Sequence, residues 1–401
     1  MIFPVPPPEP PPDAPPDSLG ALRDWLPRQR WYGAKSEAIC GVREVDRAGP
    51  ARIIEVSWRS GEAGRYLLPA IETAAQRRRW FELLAQAARI SGGFGEMAGE
   101  PLEELAAPGE SRLLGAEQSN TSVLYGAPQG RSVLKFIRRL HAGEHPDFEV
   151  PRALHAGTAF RNVPQPLGRI VYRAQGMETT LAVLHAFVPN EGDGWNWALA
   201  SAGMPAEELR QLGKRTSELH AALATAFGTE PIVADDLARW RGRALAAAEA
   251  PELAAHAELL KPWRERLRAG EAGIESVAGE AKSRIHGDYH LGQVLRTPSD
   301  WVVMDFEGEP ARPLEERRQK GSPLQDVAGM LRSFGYAGAT LRRPQWEAEA
   351  QAAFLAGYGP ISATEAVRFF EIEKAVYELR YEINHRPDWV GIPLRALKRL
   401  I

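Results

Sequence analysis

The chain has 401 residues, enough for two or three packed units. Its 49 basic and 52 acidic residues leave a net charge of −3, which argues against nucleic acid or an anionic membrane as partner. A single cysteine, Cys40, excludes an intrachain disulfide and fits a reducing, cytoplasmic setting.

No apolar run reaches the roughly 18–20 residues that span a bilayer. Met1-Ile2-Phe3 leads straight into prolines, so no signal peptide is expected. Residues 1–17 read as a proline-rich, disordered arm. Ser18 is placed to cap a helix carrying Leu19, Leu22, Trp25 and Leu26. Strands are expected over 52–58 and 65–68, and a helix from Gln76 to Ile90. Residues 18–108 together read as a small α+β cap, with Trp31 and Tyr32 in its core.

Residues 109–190 read as a lobe built on an antiparallel sheet. The polar loop Ser119-Asn120-Thr121-Ser122 leads into the strand Val123-Leu124-Tyr125, and Lys135 stands in the next strand, Ser132 to Ile137. A kinase keeps its phosphate-binding lysine in such a strand. There is no Gly-rich phosphate loop, so the hydroxyls and backbone N–H groups of Ser119, Asn120, Thr121 and Ser122 are the candidates to replace it. Taken alone, Lys135 also suits an edge-strand lysine reaching to water. Glu149, on the following helix, is the expected partner of Lys135, with Glu144 as the alternative and Pro151 a complication. Strands over 169–173 and 180–188 end in a flexible connector, the hinge position of a kinase-like fold. Adenine would meet the backbone there, near His185, Ala186 and Phe187.

Residues 191–401 read as a helical lobe. His220 lies on the apolar stripe of the 206–224 helix and reads as a buried structural histidine. The run Ile285-His286-Gly287-Asp288 follows, then Gln293, a Thr297-Pro298-Ser299-Asp300 turn, and Asp305 after the apolar Trp301 to Met304. A hairpin there would bring Asp288, Gln293 and Asp305 to one point. Phosphoryl transfer needs such a set: one Asp to accept the acceptor proton, and an Asp with an amide oxygen to hold Mg²⁺ on ATP. His286 and His290, four apart, also admit a zinc reading, but the glycines make a helix there doubtful and no third ligand is evident. Asp326 is expected to start a helix. Lys374, Tyr377, Glu378 and Tyr381 share a face of the helix over 362–384, which suits either a sugar or core packing.

His286-Gly287-Asp288 followed by Asp305-Phe306-Glu307-Gly308 resembles the aminoglycoside and choline kinase branch of the protein-kinase-like fold. The runs at 27–33, 117–122, 305–310, 322–334 and 374–379 resemble bacterial maltokinases, over residues 18–395. The resemblance implies an α+β, bilobal kinase with ATP and Mg²⁺ as cofactors and maltose phosphorylated at its anomeric hydroxyl. The product would feed α-glucan (glycogen) synthesis from trehalose. Trehalose synthase is then an implied partner, and the chain is similar to the free-standing form. Asp288 would be the base, Gln293 and Asp305 the metal ligands, with Glu307 added from the choline kinase likeness. Lys135, oriented by Glu149, would hold the phosphates, and Tyr377, Glu378 and Tyr381 would contact sugar. A kinase of glucosamine or of an aminoglycoside would share this core, and a pseudokinase binding nucleotide without turnover is the reading from another class.

Overall fold

The computed structural model describes residues 14–35, 37–115, 120–127, 130–309 and 312–401, and in 127 the backbone only. It divides into two compact units. The first comprises the described residues up to 152 together with 164–189, and the second 153–163 and 190–401.

The first unit opens on α1 (Leu19–Trp25), capped by Ser18, whose Oγ accepts the Ala21 N–H. The strands β1 (Ile39–Ala48), β2 (Ala51–Trp58) and β3 (Ala63–Pro69) follow. Next come α2 (Ala74–Ala85), β4 (Arg89–Ser91) and β5 (Glu96–Pro101). The remaining elements are β6 (Ser111–Leu114), β7 (Thr121–Ala127), β8 (Gly130–Phe136), β9 (Arg139–Leu140), α3 (Pro146–Gly157, of which 153–157 belong to the second unit), β10 (Pro166–Ala174) and β11 (Met177–Ala186). They form a four-stranded sheet, β1-β2-β3-β9, and a seven-stranded one, β4-β5-β10-β11-β8-β7-β6. Residues 18–108 contribute to both, since β5 pairs with β10, and β9 returns to the first sheet beside β3. A core of Leu22, Trp31, Tyr32, Ile54, Trp58 and Tyr66 backs the smaller sheet, and Trp58 Nε1 donates to Tyr32 Oη at 2.8 Å. Trp80, Val123, Leu134, Phe136 and Leu184 belong to the core of the larger one.

The helix expected to run to Ile90 stops at Ala85. Ala87 takes a left-handed φ of +48°, which breaks the helix, and Ile90 pairs instead with Met97 as part of β4.

The second unit is mainly helical: α4 (Gly194–Ala200), α5 (Ala206–Phe227), α6 (Ala234–Ala248), α7 (Ala257–Ala269), α8 (Leu314–Arg317), α9 (Leu324–Thr340), α10 (Pro344–Tyr358), α11 (Thr364–His385) and α12 (Gly391–Leu400). The short strands β12 (Glu230–Pro231) and β13 (Ala281–Lys282) pair, as do β14 (Val294–Arg296) and β15 (Trp301–Val303). The β14–β15 hairpin turns at Thr297–Asp300 as expected, with the Asp300 N–H on Thr297 Oγ1. The 362–384 helix is followed by α12, which the sequence reading did not anticipate. Helices α5 and α10 touch backbone to backbone. A Cβ on Gly213 would stand 2.0 Å from Phe354 O, and one on Gly357 1.9 Å from Arg210 O. This crossing brings His220 of α5 within 2.9 Å of Tyr358 Oη of α10. No helix among the described residues is long and apolar enough to cross a membrane.

Candidate functional site

In the second unit the site grows around Asp326, in the first turn of α9. Its carboxylate is 1% exposed and accepts the backbone N–H groups of His286 at 2.8 Å and Gly287 at 2.9 Å. His220 Nε2 lies 3.2 Å from the same carboxylate. Ser333, two turns along α9, accepts the Leu291 N–H, and Thr216 of α5 bonds to Tyr289 Oη. Two helices therefore hold the 286–291 loop by its own polar groups. Asp326 is a residue whose positioning role the sequence reading missed, because a helix-starting Asp is commonplace. His220, read from its stripe as structural, is part of this clamp.

The loop also closes on the segment after the hairpin. Gly287 has φ +83°, and a Cβ there would stand 3.4 Å from Gly308 Cα. The Phe306 ring packs 5.0 Å from the His286 imidazole, whose Nε2 lies 2.9 Å from Met304 O. The other ring nitrogen of His286 accepts the Asp288 N–H, and His290 Nδ1 accepts the Gly292 N–H. These bonds use both nitrogens of His286 inside the loop, so the zinc reading gains no support.

Asp288 projects from this loop with its side chain 20% exposed. Lys374 Nζ, from α11, lies 3.0 Å from Asp288 Oδ1 and 3.2 Å from Glu309 Oε1. Burial alone would push the Asp288 carboxyl up. Lys374, His290 and His286 outweigh it and hold the carboxyl well below the usual range. Burial likewise disfavours the Lys374 ammonium, but Asp288 and Glu309 raise its pKa above the ordinary value.

The four residues expected on one sugar-binding face of α11 take different partners. Lys374 turns to Asp288, with its Nζ 4.8 Å from the Tyr377 ring. Burial pushes the Tyr377 phenol up to about 12. Glu378 Oε2 accepts from the buried Arg332 at 2.8 Å, so its charge is compensated. Tyr381 stacks on His385, with ring centroids 4.4 Å apart. Glu382 is held by Arg386 and Tyr336.

The expected metal ligands lie at the end of the hairpin. Asp305 adopts a left-handed φ of +65°, unusual for a residue with a side chain. Asp305 and Glu307 each offer a carboxylate oxygen within 4.8 Å of the other. Gln293 ends the single turn Leu291–Gln293, and its carbonyl accepts the Met304 N–H at 3.0 Å, so the hairpin ladder brings it beside the start of the 304–308 segment. The Asp305 and Glu307 carboxylates offer hard oxygens of the kind that suits Mg²⁺.

In the first unit, Lys135 stands in β8 opposite Ser122 of β7 and Val183 of β11. It is 8% exposed. The acid at 3.1 Å is Asp147, where the sequence reading named Glu149. The correction follows from helix geometry: two positions along an α-helix differ by about 200° in facing, so the residues cannot share a direction. Burial raises the Asp147 carboxyl, and Lys135, His185 and His145 more than reverse this, leaving it well below its ordinary value. The alternative, Glu144, pairs with Arg152 and Arg169.

The expected phosphate loop is only partly described. Ser119 lies outside the described residues. Asn120 is buried and its Oδ1 accepts the Arg138 N–H, while Thr121 Oγ1 accepts from the Arg138 guanidinium at 2.8 Å. Ser122 is fully enclosed. These side-chain contacts lie within the first unit. At the expected hinge, the Ala186 N–H donates to Gln165 O and the Phe187 N–H to Arg131 O. Both amides are thus engaged within the unit.

Residues 110–370 match the model of the family described as APH, phosphotransferase enzyme family. A glucosamine kinase of Streptacidiphilus jiangxiensis is 31% identical over 387 residues, covering 86% of this chain and 87% of that protein. One from Mycolicibacterium smegmatis (strain ATCC 700084 / mc(2)155) is 31% identical over 322 residues, covering 72% of this chain and 79% of its own. Among solved structures, a glucosamine kinase (crystal form B) aligns with a TM-score of 0.64 at 25% identity, covering 90% of this chain and 94% of that one. A glucosamine kinase in complex with glucosamine, ADP and inorganic phosphate is alike in fold, with a TM-score of 0.64 at 24% identity over 96% of this chain and all of that one.

Proposed function

The chain belongs to the phosphotransferase enzyme family and has its kinase-like fold, and from that premise we propose that it is an ATP- and Mg²⁺-dependent kinase of a small sugar. The observation that carries this reading is Asp288, held ionised by Lys374 at 3.0 Å on a loop clamped by Asp326. Asp288 accepts the proton of the acceptor hydroxyl. The hydroxyl oxygen bonds to the γ-phosphorus, and the bond from that phosphorus to the β–γ bridging oxygen breaks, releasing ADP. The same carboxylate aligns the hydroxyl for attack. Lys135, oriented by Asp147, binds the phosphates of ATP. Asp305, Gln293 and Glu307 would hold Mg²⁺, which would supply charge neutralisation on the phosphates.

Glucosamine is the first acceptor to test, since relatives 31% identical over most of the chain are glucosamine kinases. Maltose is the second, and one observation favours it. Glu378 and Glu382 are compensated by Arg332 and Arg386, which leaves this part of α11 without spare charge for an amino sugar's ammonium. With maltose, the product is maltose 1-phosphate for α-glucan synthesis, and trehalose synthase becomes the natural partner.

The test is a product assay with ATP and Mg²⁺ against glucosamine, maltose, glucose and kanamycin, read by mass and NMR. Phosphorylated glucosamine with silent maltose supports the first reading, and an anomeric phosphate on maltose the second. Nucleotide binding with no product from any of the four would overturn the sugar-kinase reading in favour of a pseudokinase.

A further inference from the structure

Between α9, α10 and α12 the second unit holds a cavity of about 520 Å³. Arg332, Arg342, Arg395 and Arg399 line it, against one carboxylate, Glu347. The space exists because α9 presents Gly335, Gly338 and Ala339 there. A Cβ on Gly335 would stand 3.3 Å from both Arg332 Nη1 and Glu347 Oε1.

The four guanidinium groups are unequally engaged. Arg399 pairs with Glu347 at 2.9 Å. Arg332 is 1% exposed and gives Nε and Nη2 to Glu378, while its Nη1 makes no hydrogen bond among the described residues. Arg342 and Arg395 are exposed, and their side chains make no hydrogen bond or ion pair among the described residues. Arg395 and Arg399 lie one turn apart on α12, on the same face. A buried, half-used guanidinium at the wall and two unpaired ones at the rim leave the recess with positive charge beyond what Glu347 and Glu378 compensate. Guanidinium groups match phosphate oxygens in geometry and charge. The volume has room for a sugar-sized body behind the phosphate.

We propose that this cavity is a binding site for a small phosphate-bearing metabolite, held by Arg332, Arg342 and Arg395. No residue of the 285–309 segment lines it, so it is a separate site from the one built on Asp288.

The experiment is calorimetric titration of the full chain, saturated with a non-hydrolysable ATP analogue and Mg²⁺. Glucose 6-phosphate, inorganic phosphate and glucose are the probes. Saturable binding of a phosphate-bearing probe is expected, with none for glucose. Tighter binding of glucose 6-phosphate than of inorganic phosphate identifies the ligand as an ester; equal binding identifies free phosphate. The double variant R342Q/R395Q should weaken binding about tenfold or more, as loss of two charge-assisted contacts implies. Each single variant should give part of that loss, which guards against misfolding. No saturable phosphate-dependent binding, or binding unchanged in the double variant, overturns the proposal.

Discussion

Lys374 reaches Asp288 from α11 and places an ammonium 3.0 Å from its carboxylate, although 86 residues separate the two. The pair is the main electrostatic feature of the candidate site. Asp288→Asn should lower kcat by at least about a hundredfold, the usual size of a general-base contribution. Nucleotide affinity should remain. Near-normal turnover in this variant would remove Asp288 from the base role.

The lysine makes a separate forecast. Since Lys374 helps hold the Asp288 carboxyl low, Lys374→Met lets it rise. The base form is then lost at a higher pH, so the acid limb of the kcat/KM profile should move up. A raised acceptor KM with an unmoved limb would make Lys374 a sugar contact only.

In the first unit the pairing of Lys135 separates two neighbouring acids. Asp147→Asn strips a buried lysine of its partner at 3.1 Å, a loss that costs about 3–5 kcal/mol at buried pairs. It should raise the KM for ATP about tenfold or more and lower stability. Glu149→Gln should change the KM by no more than about twofold. Equal effects from both variants would return the role to Glu149.

Asp326→Ala leaves the N–H groups of His286 and Gly287 buried without their acceptor. Each such group costs about 1–3 kcal/mol, so urea unfolding should show about 2–6 kcal/mol of destabilisation together with a fall in kcat. Loss of activity at full stability would mean that the clamp acts on the chemistry without bearing on the fold.

Glu371, buried in α11, offers a pH-dependent test. Burial pushes its carboxyl up to about 7, only partly offset by Arg332 and Arg399, while Glu347 and Glu378 push the same way as burial. The folded state therefore holds this proton more tightly than the unfolded chain. Its contribution is fully present below the ordinary carboxyl range and is lost as pH rises through about 7. Glu371→Gln stays neutral, so at pH 8 it should be more stable than the parent by about 1–3 kcal/mol, and at pH 4 nearly equal to it. A difference of the same size at both pH values would refute the shift.

Much of the framework could be read along the chain because it is written in local patterns. The Thr297–Asp300 turn between two apolar runs specifies the β14–β15 hairpin, and hence the placement of Gln293 relative to the residues before Asp305. Ser18 ahead of an apolar stripe specifies the start of α1. The same kind of signal put Lys135 in a strand and Asp288 in a loop. Where local signals competed, the reading failed: Arg89-Ile90-Ser91 continues a helical pattern but pairs with β5 instead.

What the sequence by itself determined was the identity and order of the chemical groups: a strand lysine, an Asp in a glycine loop, and Asp305 after a hairpin. Tertiary structure alone decided which of them meet. Asp147 rather than Glu149 faces Lys135 because of the azimuth of α3. Lys374 meets Asp288 because α11 packs on α9, and Asp326 holds the loop because α9 starts beneath it. Asn120 and Thr121 look free in a polar run, yet they are drawn to Arg138, which lies 17 or 18 residues away in sequence. A linear pattern encodes periodicity and turn chemistry, whereas a 3 Å contact between distant residues depends on how whole helices and sheets pack.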